Sequence, residues 1–172
     1  MSTTIFITGG ARSGKSRLAE RLAEGFGAPL CYIATGEARD GEMAERIDRH
    51  RQRRGSAWQT VEEPLQLGEA IRERDGRCRA ILVDCITLWI TNLLFHHDAV
   101  EPVLVEVRTL AELLPTLQTP LILVSNEVGM GIVPENALAR SFRDLAGHTN
   151  QILAEASDEV YVTISGIPVK LK

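Results

Sequence analysis

Residues 9–16, with the sequence GGARSGKS, fit the phosphate-loop pattern of a glycine, four further residues and then Gly-Lys-Ser. Glycines let the backbone curl until successive N–H groups point into one concavity, and such a concavity binds anions. An apolar strand is predicted before the motif at 4–8 and a helix after it at 16–26, whose start adds its dipole to the site. The motif therefore predicts an α/β protein that binds a nucleoside triphosphate, and a chance glycine-rich turn is the weaker alternative. The predicted phosphate-binding residues are Gly9, Gly10, Ala11, Arg12, Ser13, Gly14, Lys15 and Ser16.

Two residues of the motif and one strand end have predicted catalytic or metal-binding roles. Lys15 is expected to reach the β- and γ-phosphates as a mobile positive charge, and the Ser16 hydroxyl is expected to bind Mg²⁺. Asp84 ends the predicted strand 79–84, where a carboxylate would help to hold the same ion. An acidic residue at a strand end is also common in α/β proteins that bind no metal. Given the phosphate loop, the metal role is favoured for Asp84.

The composition limits the kind of protein that this chain can be. It has 172 residues, 44% of them hydrophobic, and a net charge of −4, which predicts one globular domain over residues 1–172. The acidic balance argues against a surface that coats nucleic acid. Apolar runs fall short of the ~18 residues that span a bilayer, so no transmembrane segment is expected. Cys31, Cys78 and Cys85 follow no metal-ligand spacing, which predicts reduced thiols in a cytoplasmic protein.

Strand-like and helix-like patterns alternate along the chain. The predicted strands lie at 4–8, 29–34, 58–61, 79–84 and 120–125, and a closing hairpin at 159–164 and 167–171 turns at Ser165 and Gly166. Helices are predicted at 16–26, 42–54, 65–74, 86–95, 103–117 and 134–157. The strands are apolar without alternation, which favours a mostly parallel sheet with helices on both faces.

Ligands of such sheets bind beyond the carboxyl ends of the strands. That rule brings the phosphate loop into one crevice with Thr35, Gly36, Glu37, Asp84, Asn126 and Glu127. The glycines of the loop 126–133 permit the close approach of a ligand, although the loop could simply connect a strand to a helix. Glu62 and Glu63 stand before a proline, and paired acids in that setting are most often part of a solvated loop.

The predicted helix 42–54 concentrates positive charge in an acidic protein. It carries Arg46, Arg49, Arg51, Arg53, Arg54 and, among them, His50. Four of these residues recur at helical spacing on one face, which suggests an anion site, whereas a solvated basic face is the usual alternative. His50 is either an exposed histidine without a task or a nucleophile at phosphorus. Neighbouring positive charge favours the neutral imidazole that a nucleophile needs.

These residues together resemble the family of bifunctional adenosylcobinamide kinase/adenosylcobinamide-phosphate guanylyltransferases of cobalamin biosynthesis. The resemblance extends over essentially the whole chain. It combines the phosphate loop with YIAT at 32–35, His50 and Arg51, NEVGMGIVPEN at 126–136, FRD at 142–144, and Ser165 with Gly166. The phosphate loop alone is not specific, whereas its combination with the 126–136 loop and His50 is.

The resemblance implies two reactions. The first phosphorylates the aminopropanol hydroxyl of adenosylcobinamide with ATP or GTP. The second transfers GMP from GTP to the resulting adenosylcobinamide phosphate and gives adenosylcobinamide-GDP and pyrophosphate. The family uses a histidine that takes GMP covalently, and His50 is the position that matches it.

The resemblance also implies a fold, an assembly and further nucleotide contacts. The fold is the RecA-like form of the P-loop proteins, and the assembly is a homotrimer. The family carries Glu where this chain has Asp84. Beyond the phosphate loop, the implied nucleotide contacts are Thr35, Gly36, Glu37, Arg51, Gln52, Arg53, Arg54, Glu62 and Asp84.

Two other functions fit parts of the sequence. A P-loop kinase of another small metabolite would use the phosphate loop and Asp84 but would leave His50 and its arginines without a role. A RecA-like ATPase module that acts on a protein or nucleic acid would fit the phosphate loop, although the acidic balance counts against it.

Overall fold

The computed structural model describes residues 2–36 and 55–172. The predicted helix 42–54 lies outside these ranges. The strands of the described ranges are β1 Thr4–Gly9, β2 Leu30–Ala34, β3 Trp58–Glu62, β4 Ala80–Asp84, β5 Leu121–Val124, β6 Glu159–Ile164 and β7 Ile167–Lys170. The helices are α1 Lys15–Glu24, α2 Leu67–Arg74, α3 Ile86–His97, α4 Val100–Leu113 and α5 Ala137–Ala156.

All seven strands form one sheet in the order β3-β2-β4-β5-β1-β6-β7. Every neighbouring pair is parallel except β6 and β7, which form the antiparallel hairpin at the edge. The strand β5 lies between β1, which leads into the phosphate loop, and β4, which ends at Asp84. This architecture confirms the predicted α/β fold, a mostly parallel sheet with helices on both faces and a C-terminal hairpin.

The sheet has an apolar cluster on each face, which explains why its strands lack alternation. On one face Phe6, Ile33 and Val83 pack with the helices α2 to α5 around Trp89. On the other face the neighbouring residues of the same strands, such as Ile7, pack with α1. Each fully buried Leu, Ile or Phe side chain contributes about 1.5–3 kcal/mol, so both faces stabilise the sheet that positions the strand ends.

Several helix boundaries differ from the sequence prediction, and two of the differences have an identifiable cause. The last helix begins at Ala137 and not at Pro134, because the Asn136 side chain caps it by accepting a hydrogen bond from the Ala139 N–H at 3.0 Å. The helix α4 ends at Leu113 and not at 117, and a 3-10 turn that contains Pro115 follows. Proline lacks the N–H that a continuing α-helix would use.

The three cysteines are all free thiols. Cys31 and Cys85 are buried, and Cys78 is half-buried. Burial, and after it the neighbouring Asp84 charge, raise the pKa of Cys85 to about 12. Across 2–36 and 55–172, the helices are too short or too polar to cross a membrane.

Candidate active site

Four strand ends meet at the carboxyl edge of the sheet, where the sequence placed the crevice. The Glu127 N–H donates to the Gly9 carbonyl at 3.0 Å and so ties the end of β5 to the start of the phosphate loop. The Thr35 N–H approaches the Asp84 carbonyl at 3.4 Å and ties the end of β2 to that of β4. The phosphate loop, Thr35, Gly36, Asp84 and the start of the 126–136 loop therefore share one edge.

The phosphate loop has the curled backbone that its glycines allow. Gly14 has φ of 95° and Arg12 has φ of 55°, both in the left-handed region. The Ser13 N–H closes the turn by donating to the Gly10 carbonyl at 3.2 Å. The Lys15 side chain is only 9% exposed, and its Nζ donates to the same Gly10 carbonyl at 3.0 Å. The backbone of the phosphate loop therefore encloses the ammonium group of Lys15.

The helix α1 starts directly from this loop. Its N-cap is Gly14, and within the described part of the chain no side chain caps it. Uncapped N–H groups at a helix start are hydrogen-bond donors for an anion, and the helix dipole adds to their attraction. The start of α1 is thus suited to bind phosphate.

The C-terminal hairpin contacts the phosphate loop through hydrogen bonds that the sequence did not predict. The hydroxyls of Ser13 and Thr163 lie 2.7 Å apart, and the Gly166 N–H donates to the Ser13 carbonyl at 2.9 Å. A side chain at Gly14 would begin 3.2 Å from the Cα of Gly166. The only sequence signal for this contact is the pair Ser165 and Gly166 in the turn of the hairpin.

Glu127 is fixed at the base of the loop by side chains from two other elements. Its Oε1 accepts hydrogen bonds from the Thr8 hydroxyl at 2.7 Å and from the Asn150 amide at 3.3 Å. Thr8 belongs to β1 and Asn150 to α5. The carboxylate therefore has one orientation relative to the phosphate loop.

A buried polar network continues from Asn150 beneath the edge of the sheet. The Ser125 hydroxyl donates to the Asn150 Oδ1 at 2.7 Å and lies 3.3 Å from the Thr87 hydroxyl. The Thr87 hydroxyl also accepts from the Asn126 N–H at 2.8 Å. Since these groups are satisfied, the network holds β5, α3 and α5 together without the cost of unpaired buried polar atoms.

Thr35 has a structural task in addition to its predicted nucleotide contact. Its hydroxyl donates to the Cys85 carbonyl at 2.7 Å and accepts from the Cys85 N–H at 2.9 Å. The Asn92 amide donates to the Thr35 carbonyl at 2.8 Å and to the Pro64 carbonyl at 3.1 Å. These bonds fix the junction between β4 and α3 next to Asp84.

The two neighbouring acids after β3 have different surroundings. The Glu63 Oε1 accepts from the N–H groups of Leu65 at 2.9 Å and Gln66 at 2.8 Å, and so orders the turn before α2. Glu62 is exposed at the carboxyl end of β3. The nucleotide contact implied for Glu62 is thus compatible with its position.

Ser16 and Asp84 are the two residues that the sequence predicted to hold a metal ion. Ser16 lies in the first turn of α1, and the Asp84 carboxylate lies half-buried at the end of β4. No group of three or more His, Cys, Asp or Glu side chains among the described residues could hold a metal by itself. Mg²⁺ commonly binds with one or two protein oxygens and fills its shell with phosphate oxygens and water, so this donor set fits it.

The other predicted site residues belong to the segment between the two described ranges. Glu37, His50, Arg51, Gln52, Arg53 and Arg54 lie outside the described residues.

Comparison with known proteins identifies close relatives. The family model of cobinamide kinase / cobinamide phosphate guanyltransferase matches residues 5–171. The bifunctional adenosylcobalamin biosynthesis protein CobP of Pseudomonas aeruginosa is 49% identical over 96% of this chain and 95% of its own. The corresponding CobU proteins of Escherichia coli and Salmonella typhimurium are 45% and 46% identical over 98% of this chain and 99% of theirs.

A more distant likeness appears among solved structures. A KaiC-like protein from Pyrococcus horikoshii OT3 overlaps 93% of this chain and 70% of its own chain, with a TM-score of 0.49 and 17% identity. This likeness is too remote to bear on function.

Proposed function

Because the chain belongs to the cobinamide kinase / cobinamide phosphate guanyltransferase family, it is a bifunctional enzyme of adenosylcobalamin biosynthesis, and we propose that its phosphate loop serves both reactions. The observation that carries this conclusion is the family match over nearly the whole chain, from β1 to the supporting hairpin. It disfavours a kinase of another metabolite and a RecA-like ATPase module.

Nucleotide binding is assigned to the loop 9–16 and the start of α1. The curled backbone, the uncapped helix start and the enclosed Lys15 ammonium together favour a triphosphate. In this proposal the described part of the nucleotide site also includes Gly36, Glu62 and Asp84. The backbone of Thr35 completes it. Glu37 and Arg51 to Arg54 would supply the rest. ATP or GTP is the phosphoryl donor of the kinase reaction, and GTP is the donor of GMP.

Mg²⁺ would be held by the Ser16 hydroxyl and the Asp84 carboxylate. Such an ion neutralises charge on the phosphate oxygens. The position of Asp84 at the end of β4, one strand removed from β1, supports this pairing. The chain's own contribution is to keep Asp84 in place through the bonds between Thr35 and Cys85.

His50 is the proposed nucleophile of the guanylyl transfer. A covalent route divides the reaction in two, because pyrophosphate leaves when the imidazole nitrogen attacks the α-phosphate, and the acceptor phosphate then takes GMP from the histidine. The neighbouring arginines would stabilise the charge that develops on the departing pyrophosphate. Support for His50 comes from the sequence alone, since it is the histidine at the matching position of the family.

Labelling with GTP tests this route. Protein incubated with GTP labelled at the α-phosphate is denatured, and the protein-bound label is measured. We expect an adduct that is stable to base and labile to acid, as a phosphorus–nitrogen bond to histidine is. His50→Ala should abolish the adduct and the transfer of GMP, while phosphorylation of adenosylcobinamide persists at least in part.

A matched control is His148→Ala, which removes an exposed histidine from α5 and should leave the adduct intact. An adduct that survives in His50→Ala would contradict the proposal. Transfer of GMP by the wild-type protein without any protein-bound label would contradict it equally.

Assembly and location complete the proposed function. The proposal includes a homotrimer, as the family resemblance implies, and a cytoplasmic location, which the three free cysteines support. Light scattering at micromolar concentration measures the assembly, and a fully active monomer would exclude the trimer. Cell fractionation with activity recovered in the membrane pellet would exclude the cytoplasm.

A further inference from the structure

We propose that Glu127 is the general base of the kinase reaction, the carboxylate that takes the proton from the acceptor hydroxyl while that hydroxyl is phosphorylated. This inference rests on the proposed position of the nucleotide at the phosphate loop. It adds a catalytic residue from the loop after β5 to a site otherwise built at the ends of β1, β2 and β4.

The first observation is where Glu127 lies. Its N–H donates to the carbonyl of Gly9, the first residue of the phosphate loop, at 3.0 Å. The strand β5 lies beside β1 in the sheet, so the loop that begins after β5 and contains Glu127 starts next to the phosphate loop. A nucleotide held by the loop would direct its γ-phosphate toward this edge, where an acceptor must arrive.

The second observation is how the carboxylate is held. The Thr8 hydroxyl and the Asn150 amide both donate to Oε1. Among the residues that the structure describes, none donates a hydrogen bond to Oε2. One oxygen thus orients the group and the other can accept a proton, which is the geometry required of a general base.

The third observation is the surface that follows Glu127. Residues 128–134 carry no charge, and Met130, Ile132 and Val133 are 83%, 96% and 61% exposed. The far end of this segment is fixed because Arg140 donates to the Pro134 carbonyl at 2.9 Å. A bulky acceptor with an apolar ring system can cover these side chains, and its hydroxyl then lies close to Glu127.

The proposed step balances without a further reactant. A lone pair of the acceptor hydroxyl oxygen forms the new bond to the γ-phosphorus. The bond between that phosphorus and the bridging oxygen of the β-phosphate breaks, and the nucleoside diphosphate leaves with its electrons. The hydroxyl proton passes to Oε2 of Glu127, and the carboxylic acid later returns it to water.

The test is Glu127→Gln, which keeps an oxygen for Thr8 but cannot take a proton. Transfer of label from γ-labelled nucleotide to adenosylcobinamide should fall about 10²–10⁴-fold, the usual contribution of a positioned base. Glu135→Gln removes an exposed carboxylate from the same loop and should transfer label at the wild-type rate.

A further readout separates a catalytic role from a structural one. Adenosylcobinamide phosphate supplied ready-made needs no deprotonated hydroxyl, so Glu127→Gln should transfer GMP to it at the wild-type rate.

Several results would overturn the assignment. A kinase rate in Glu127→Gln equal to that in Glu135→Gln would exclude Glu127 as the base. An equal loss of kinase activity and GMP transfer would show that Glu127 only supports the loop. Failure of the proposed nucleotide site is a separate result, because Lys15→Ala would then bind nucleotide as tightly as the wild type.

Discussion

Lys15 is the residue on which nucleotide affinity should depend most. Its ammonium group is enclosed by the phosphate loop, so its interaction with phosphate is screened less than that of a surface lysine. Lys15→Ala should weaken both reactions by about 2–4 kcal/mol of transition-state stabilisation. Calorimetric titration with nucleotide and the two label-transfer assays measure the loss. Arg17→Ala removes an exposed charge from the same helix and serves as the control.

Replacement of Asp84 should change the Mg²⁺ requirement of the enzyme more than its thermal stability. Asp84→Asn removes a negative charge from the half-buried end of β4 but retains the shape of the side chain. The Mg²⁺ concentration needed for half-maximal kinase rate should rise because a neutral amide binds Mg²⁺ more weakly than a carboxylate does. A melting temperature that drops sharply with unchanged Mg²⁺ dependence would assign Asp84 to structure instead.

Gly9 should not tolerate even a methyl group. A Cβ there would lie 2.6 Å from both the Ser13 and Thr163 hydroxyls and 2.7 Å from the Thr163 carbonyl. Gly9→Ala must therefore separate the phosphate loop from the hairpin, and its melting temperature should decrease. Gly10→Ala is the matched control for stability, since nothing lies within 4 Å of its added carbon. Equal melting temperatures for the two variants would show that the contact with the hairpin is not needed.

At the scale of elements, the hairpin of β6 and β7 has a pH-dependent contact. The Tyr161 hydroxyl donates to Glu159 at 2.6 Å and lowers the pKa of that carboxyl, and Lys170 at 3.1 Å lowers it further. A lowered native pKa stabilises the fold above the unfolded pKa, and this stabilisation is lost as pH falls through the native value.

We therefore expect Glu159→Gln to melt slightly below the wild type at neutral pH. The difference should vanish at acid pH, where the wild-type carboxyl is protonated as well. Thermal melts followed by circular dichroism over this pH range measure it, with exposed Glu112→Gln as the control. A difference that grows toward acid pH would contradict the assignment.

Elements with strong local signals were predictable from the sequence, whereas contacts between distant elements were not. The phosphate loop, its flanking strand and helix, and Asp84 at a strand end were all read from consecutive residues. The support of Ser13 by Thr163 joins residues 150 positions apart, and periodicity contains no information about such pairs. The predicted helix start at Pro134 was wrong because the cap at Asn136 has the stronger effect on where the helix begins.

At the scale of the whole molecule, the two tryptophans lie in different halves of the core. Trp89 is buried among the helices on one face, where its indole N–H donates to the Leu65 carbonyl at 2.8 Å. Trp58 packs on the other face, with its ring 6.2 Å from that of Tyr32 at 75°. The fluorescence of each tryptophan therefore reports on the packing of one face of the sheet.

Both faces should unfold together if residues 1–172 are one domain, as predicted. In urea, the fluorescence of Trp58→Phe, which retains Trp89, should change with the same midpoint as its circular dichroism. The same should hold for Trp89→Phe, which retains Trp58. Protein concentration is kept constant, because assembly would shift every midpoint. Separate fluorescence and dichroism midpoints in either variant would show two cooperative units.

The support of the phosphate loop by the distant hairpin has a consequence for synthesis on the ribosome. Ser13 is made 150 residues before its partner Thr163. At about 5–20 residues per second, the loop waits roughly 8–30 s for the hairpin that holds it. Until then, Ser13 lacks the hydroxyl of Thr163 and the N–H of Gly166. An interrupted translation product should consequently hold no preformed phosphate site, and nucleotide should be captured only by chains that have left the exit tunnel with their hairpin in place.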